Sequence, residues 1–502
     1  MAVVDRDTMV ETRSARKAAR PNGRDAEVAN PPKPAAKKKA PRKASKADEL
    51  PAEISPYDMT AAQLALHCYF LPMCLLLPCP VLCAVLAFAT NSDAVSAPTL
   101  GGLYAYAVDH GVGGLLGASF AFIGVGTTEA WTFLAVFNTL ALLIYWWPGE
   151  TKCGPLTATG HLPEYVDNGV AHCALFSGLY AGGAYLGWYD FGVLFDVFGP
   201  TVGALNAFGL VFCVFLYFKG LHSPCTKDSG TSGGGFVFDY YWGMELYPRI
   251  CGVDVKKFVN CRFSMTFWQL AGACYTYRSY TTHGKLDPGL FLAAVSQYVY
   301  LVKFFVWEIG YMRSIDIIVD RAGFYETWGC IVWVPTVYTL HSRICVTSPS
   351  QLSWPVALAI FGVGIAGVGL NYWADNQRMT FREKKGDCLV WGRKPVYIEA
   401  KYVTVDKATG VLQEHDSLLL ASGWWGQARH LQYSFELTAA WSWGLLANPA
   451  VNGPLPLFYA VFLTILLIHR AIRDEEKCLK KYGQYYEQYM DIVKYKIIPG
   501  VY

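Results

Sequence analysis

The chain has 502 residues, 53% of them hydrophobic, 15% aromatic and only 16% charged, and its mean hydropathy is +0.24. Soluble globular chains carry about 25% charge, so this balance excludes a disordered chain, a collagen-like chain and a nucleic-acid-binding globule. The net charge of +3 is uneven: residues 1–50 hold 13 Lys/Arg against 7 Asp/Glu, and the remainder is net negative.

Residues 1–55 contain PNG, NPPKP and KKKAPRK and almost no branched apolar or aromatic residues. They cannot bury enough apolar surface to offset ordering, so they are expected to form a disordered basic tail. The tail reads as solubilising and topology-setting, with an anionic-lipid or nucleic-acid contact as the sharper alternative. It lacks the apolar stretch of a cleavable signal, so the first hydrophobic segment is expected to act as the anchor.

A membrane-spanning helix needs about 20 apolar residues. Such runs are expected at 62–90, 128–147, 168–188, 197–218, 263–279, 288–311, 324–345 and 352–373. Residues 100–125 are Gly-rich and interrupted by Asp109, and Tyr145-Trp146-Trp147-Pro148 closes its run as an aromatic belt. Near the end, 437–448 is short enough for half of a re-entrant pair, and 454–469 reads as the last span. The polar stretches are 221–262, 374–435 and 470–502. Basic residues at both ends place both termini on the cytoplasmic side, and an even number of crossings follows. The fold class expected is an all-α polytopic membrane protein with about ten transmembrane helices, spanning residues 56–502. The 15 cysteines include no Cys-x-x-Cys and read as small core residues.

Charges inside apolar runs mark sites by default. Glu308, in FFVWEIGYM, reads either as a cavity-lining carboxylate or as the partner of Lys303 or Arg313; Glu436 and Glu129 are weaker examples. Arg378 and Arg382 are four apart, on one face if the segment is helical. With Arg429-His430 and Arg473-Asp474 they form a basic, aromatic-flanked cluster suited to a phosphate-bearing cofactor, or simply to juxtamembrane topology. Gly362-Val-Gly364-Ile-Ala-Gly367 matches G-x-G-x-x-G but follows no strand, so close helix packing is expected there. No histidine pair has metal-ligand spacing, and no metal is expected.

Four ordered blocks resemble the sterol C=C reductases of the endoplasmic reticulum, the Δ14, Δ7 and Δ24(28) reductases, and the sterol reductase domain of the lamin B receptor. They are Phe238–Arg249 (FDYYWGMELYPR), Asp320–Leu340 (DRAGFYETWGCIVWVPTVYTL), Ser422–Tyr433 (SGWWGQARHLQY) and Arg473–Tyr502. With their spacing they cover roughly residues 125–502. WGRKPVYIEAKY (391–402), Tyr325-x-x-Trp328-Gly329 and Arg429-His430-Leu431 favour the Δ7 branch.

The resemblance implies NADPH-dependent reduction of the C7–C8 bond of a 5,7-diene sterol, by protonation of the alkene and hydride transfer. The alternatives are a Δ14 or Δ24(28) reductase and a non-catalytic sterol-binding scaffold. It implies a cytoplasm-facing cofactor pocket in the C-terminal half, about 370–502, with contacts at Arg378, Arg382, Leu420, Trp425, Gln432, Tyr433, Asp474, Cys478 and Tyr482. Candidate proton donors are Glu308, ranked first among the carboxyls, with Glu436, Tyr433 and Tyr338. Implied partners are the sterol substrate, the lipid bilayer and other sterol-biosynthesis membrane enzymes, with no nucleic acid. The chain departs from the family pattern at Gln432, usually Asn, and at Tyr433-Ser434-Phe435-Glu436, usually Tyr-x-Gly-Asp. It departs again at Tyr247-Pro248-Arg249, usually Asn-Pro-Arg, and at Cys261-Arg262-Phe263-Ser264, usually x-Arg-Pro-Gly.

Overall fold

Helix α1 (Ala61–Asn91) begins at a reciprocal cap. The Thr60 hydroxyl accepts from the Gln63 backbone N–H at 3.3 Å, and the Thr60 N–H donates to Gln63 Oε1 at 3.0 Å. The computed structural model describes residues 60–502 apart from 92, 158 and 406–411. The expected basic tail, 1–55, lies outside the described residues.

Helix α2 (Leu100–Ile123) breaks at Gly111, whose φ of 75° only glycine adopts cheaply. Then come α3 (Thr128–Tyr145), the pair β1 (Glu150–Cys153) and β2 (Glu164–Asp167), α4 (Gly169–Tyr185) and α5 (Phe198–His222). The short pair β3 (Arg249–Ile250) and β4 (Val253–Asp254) precedes α6 (Met265–His283) and α7 (Pro288–Val306). Next are α8 (Phe324–Tyr338), wound as a π-helix around Pro335, then α9 (Leu340–Thr347) and α10 (Trp354–Glu383). Strands β5 (Tyr397–Val405) and β6 (Leu412–Leu420) form a hairpin before α11 (Leu431–Leu446), α12 (Leu455–Tyr482) and α13 (Gln484–Ile492).

Among the described residues six helices, α1, α3, α5, α7, α10 and α12, are long and apolar enough to cross a membrane, with mean hydropathies of 1.3 to 2.3. Every apolar run read from the sequence is helical. Several helices outlast their apolar windows, however. The 352–373 span continues to Glu383, and 454–469 continues to Tyr482. The added residues include four Arg, three Lys, three Glu and one Gln, which extend a helix without being apolar.

The all-α expectation needs correction, because antiparallel pairs punctuate the loops. The largest, β5–β6, pairs Tyr397 with Leu420 and Ala400 with Ser417. Its residues alternate, as a two-faced strand requires. Ile398, Ala400 and Leu419 cover α13 at Tyr486 and Tyr489. Leu420 and Tyr397 turn the other way, onto Phe381, Val390 and Trp425.

Helices α10 and α11 lie against each other at the expected glycines. A Cβ on Gly364 would meet Ser442 Cβ at 3.0 Å, and one on Gly367 would meet the Phe435 carbonyl oxygen at 2.8 Å. Small residues thus bring two backbones together, and the G-x-G-x-x-G string is a packing seam.

Candidate active site

Helix α10 presents Asn371, Arg378 and Arg382 about one or two turns apart, on one face. The Arg378 guanidinium lies 3.8 Å from the centre of the Trp425 ring, with Asp375 at 3.5 Å. Trp425 is fixed from two sides: its indole N–H donates to the Ala374 carbonyl at 2.8 Å, and its own carbonyl accepts from the Tyr489 hydroxyl at 3.1 Å. Leu420 packs beneath it. Arg382 is exposed and faces Cys478, Tyr482 and Asp474.

Those three residues recur at four-residue intervals on α12, so they form one stripe. The Tyr482 hydroxyl lies 3.3 Å from Ser417 Oγ on β6. Asp474 Oδ2 lies 4.0 Å from His430 Nδ1. The His430 ring is buried and stacks parallel on Tyr433, with centroids 5.4 Å apart. Burial pushes its imidazole down to about 4. The Gln432 carbonyl accepts from Asn371 Nδ2 at 3.0 Å, and its side-chain Oε1 is buried without a partner among the described residues. All nine expected cofactor contacts therefore come from α10, β6, the 424–433 segment and α12, and these elements meet.

The candidate acids divide into two groups. Tyr433, Glu436 and Tyr338 belong to one region, around Arg470. Arg470 pairs with Asp316 and faces Tyr433 and Tyr325. Glu436 faces Tyr300 and Lys303, and the Tyr338 ring packs at 4.6 Å, tilted by 50°, against Tyr459. Tyr300, Tyr338, Tyr433 and Glu436 are only half-buried, although protein surrounds them.

Glu308 lies elsewhere, fully buried, with Arg262 at 3.0 Å and Lys257 at 3.4 Å. The expected partners Lys303 and Arg313 do not pair with it; the Lys303 ammonium goes to Asn371. Arg262 also donates to Asn168 at 2.6 Å, and a Cβ on Gly169 would meet Glu308 Oε2 at 2.2 Å. Glu308 is thus enclosed by two buried cations, away from the Tyr433–Glu436 region.

Residues 104–502 match the ergosterol biosynthesis ERG4/ERG24 family. The chain belongs to this family of sterol reductases. It is similar to 7-dehydrocholesterol reductase of Arabidopsis thaliana, 41% identical over 379 residues, covering 75% of this chain and 86% of that one. A second relative, the Delta(14)-sterol reductase of Methylotuvimicrobium alcaliphilum, is 35% identical over 74% of this chain and 82% of its own. The 7-dehydrocholesterol reductase of Danio rerio is 32% identical over 75% and 78%. A sterol reductase of this family is an oxidoreductase acting on sterols, in keeping with the helical, membrane-suited body.

Two expectations about this sterol reductase change with the geometry. Arg429 donates to Glu475 at 2.6 Å and to the carbonyls of Val493 and Lys494 at 2.6 and 3.0 Å, so it is no phosphate fork. Phe435, where the resemblance implied a glycine, directs its ring onto Trp424 at 5.3 Å, and its carbonyl oxygen lies close against Gly367 across the seam. Sequence reading missed Asn371 and Arg470 as parts of the region. Asn371 stands seven residues before Arg378, two helical turns along the same face, and that spacing was its signal.

Proposed function

We propose that the chain reduces the C7–C8 double bond of a 5,7-diene sterol with NADPH. The observation that carries this reading is the convergence of Arg378, Arg382, Trp425, Gln432, Tyr433 and Asp474. Their donor set fits the cofactor. Two guanidinium groups, the exposed Arg382 and the half-buried Arg378, suit phosphates. The buried Gln432 Oε1, without a partner among the described residues, and the partly exposed Asp474 carboxylate are acceptors for N–H or O–H donors. NADPH supplies a hydride when bound.

The chain's own residues do the rest. Arg378 and Arg382 bind phosphate, and Trp425 and Leu420 wall off water. The sterol packs against the half-buried Tyr300, Tyr338 and Glu436, whose aromatic surroundings suit a rigid apolar nucleus. Tyr433 is the donor we favour, because it faces both regions: His430 and Asp474 on one side, Arg470 on the other. Its hydroxyl gives a proton to one alkene carbon, and the Arg470 cation stabilises the phenolate left behind. Tyr433→Phe should lower kcat by about 10²–10⁴ while NADPH still binds; unaltered kcat would move the role to Tyr338 or Glu436.

In this reading the chain crosses the endoplasmic reticulum membrane ten times. Both termini and the cofactor pocket face the cytoplasm, as the basic ends favour. The deciding experiment is expression in a host that accumulates 5,7-diene sterols, followed by mass spectrometry. Disappearance of the Δ7 bond supports the proposal. An unchanged diene with folded protein present sinks it, and Δ14 and Δ24(28) substrates are then the next to try, because Delta(14)-sterol reductases also resemble this chain.

A further inference from the structure

The segment that carries His430, Gln432 and Tyr433 is held by the last residues of the chain. Arg429 is buried, and its guanidinium reaches Glu475 and the carbonyls of Val493 and Lys494. Its backbone N–H donates to the Tyr495 carbonyl at 2.9 Å, and the His430 N–H donates to the Lys496 carbonyl at 2.7 Å. On the far side of Tyr433, the Ser434 hydroxyl donates to the Ile497 carbonyl at 2.7 Å. Lys496 closes the ring by pairing with Glu475 at 2.8 Å. The strap is itself braced, since the N–H groups of Lys496, Ile497 and Ile498 converge on the Tyr502 carbonyl oxygen at 3.0, 2.8 and 2.9 Å.

Bonds therefore fall on both sides of Gln432-Tyr433 and leave those two side chains unoccupied by the strap. That is what a support needs if it is to aim two side chains without competing for them. We propose that Arg429 is a positioning residue: through residues 493–497 it clamps the Gln432-Tyr433 turn in the geometry that NADPH requires. The inference rests on the functional reading above.

Charge selects the informative variant. Glu475 has two cations, Arg429 and Lys496. Arg429→Gln leaves a neutral Glu475–Lys496 pair, whereas loss of Glu475 would leave two cations facing each other. The test uses the full-length purified chain and steady-state kinetics with NADPH and the sterol varied separately. Arg429→Gln should raise the KM for NADPH about tenfold, equivalent to 1.4 kcal/mol, and leave the sterol KM within about twofold. Arg429→Lys keeps the Glu475 contact but loses the fork onto two carbonyls, so it should fall between. Ser434→Ala removes one bond and should raise the NADPH KM about threefold to fivefold; it decides the matter if Arg429→Gln does not fold. An NADPH KM within twofold of wild type in the folded variants, or equal rises in both KM values, overturns the clamp alone. Wild-type protein that shows no NADPH-dependent turnover overturns the functional reading and the clamp together.

Discussion

Gly367→Ala tests how closely the site depends on the α10–α11 seam. The added methyl carbon would stand 2.8 Å from the Phe435 carbonyl oxygen, 3.1 Å from the Ala439 nitrogen and 3.2 Å from Thr438 Cβ. The two nearest atoms are backbone, so no rotamer change relieves the overlap and the helices must part. Overpacking of this kind costs about 1–3 kcal/mol, and a clash with backbone belongs at the upper end. Alanine returns up to about 1 kcal/mol of helix propensity, so a net loss of about 2 kcal/mol is expected. Gly362 is the control, because a Cβ there meets nothing within 4 Å. Gly362→Ala should be neutral or slightly stabilising. The functional consequence follows from position. Asn371 is one turn beyond Gly367 and holds the Gln432 carbonyl at 3.0 Å. Parting the helices stretches that bond, so the KM for NADPH should rise as well. Melting curves in detergent and NADPH kinetics on both variants are the assay. A Gly367→Ala protein that melts no lower than Gly362→Ala and keeps its NADPH KM would refute the seam argument.

Two further variants probe buried charge. Glu308→Gln leaves Arg262 and Lys257 as uncompensated buried cations, and breaking such a cluster costs about 3–5 kcal/mol. The expected result is low folded yield; a stable protein that has lost only kcat would restore Glu308 as the acid. His430 gives a pH signature. Burial holds it at about 4 against an ordinary 6.5, so the unfolded chain takes the proton first as pH falls. Its stabilising effect is complete above about 6.5, is lost progressively between 6.5 and 4 by roughly 3 kcal/mol, and levels off below. The groups facing it are Asp474 and Glu475 of α12, Arg378 of α10 and Arg429 beside it. The melting difference between wild type and His430→Gln should shrink across that window; a constant difference from pH 7 to pH 4 would contradict the assignment.

What could be read from the sequence was local. Arg378 and Arg382 needed only a helical period to share a face, and the four-residue steps from Asp474 to Tyr482 needed no more. The glycine string was legible as packing because it lay in an apolar run with no strand before it. Glu308 shows where such reading ends. Its partner Arg262 is 46 residues away and Asn168, which Arg262 also holds, is 94 residues from that arginine. Nearby Lys303 and Arg313 were the only partners that sequence distance suggested. The strands were missed for a related reason: each face of the β5–β6 hairpin packs on elements distant in sequence, and its charged residues read only as a polar insertion.

Three of the four arginines of the basic cluster make the same point about function. By composition Arg378, Arg382 and Arg429 are interchangeable phosphate candidates. In the fold, Arg429 spends its guanidinium on a carboxylate and two carbonyls. Arg378 sits over the Trp425 ring with one carboxylate at 3.5 Å, and Arg382 is exposed beside the α12 stripe. A guanidinium can bind a ligand only with donors that the protein has not already taken, and a carbonyl from 64 residues away is what removes Arg429 from the set. Helical spacing can nominate cations for a phosphate site. Which of them stay free is decided by the chain's far end, whose backbone carbonyls have no sequence signature at all.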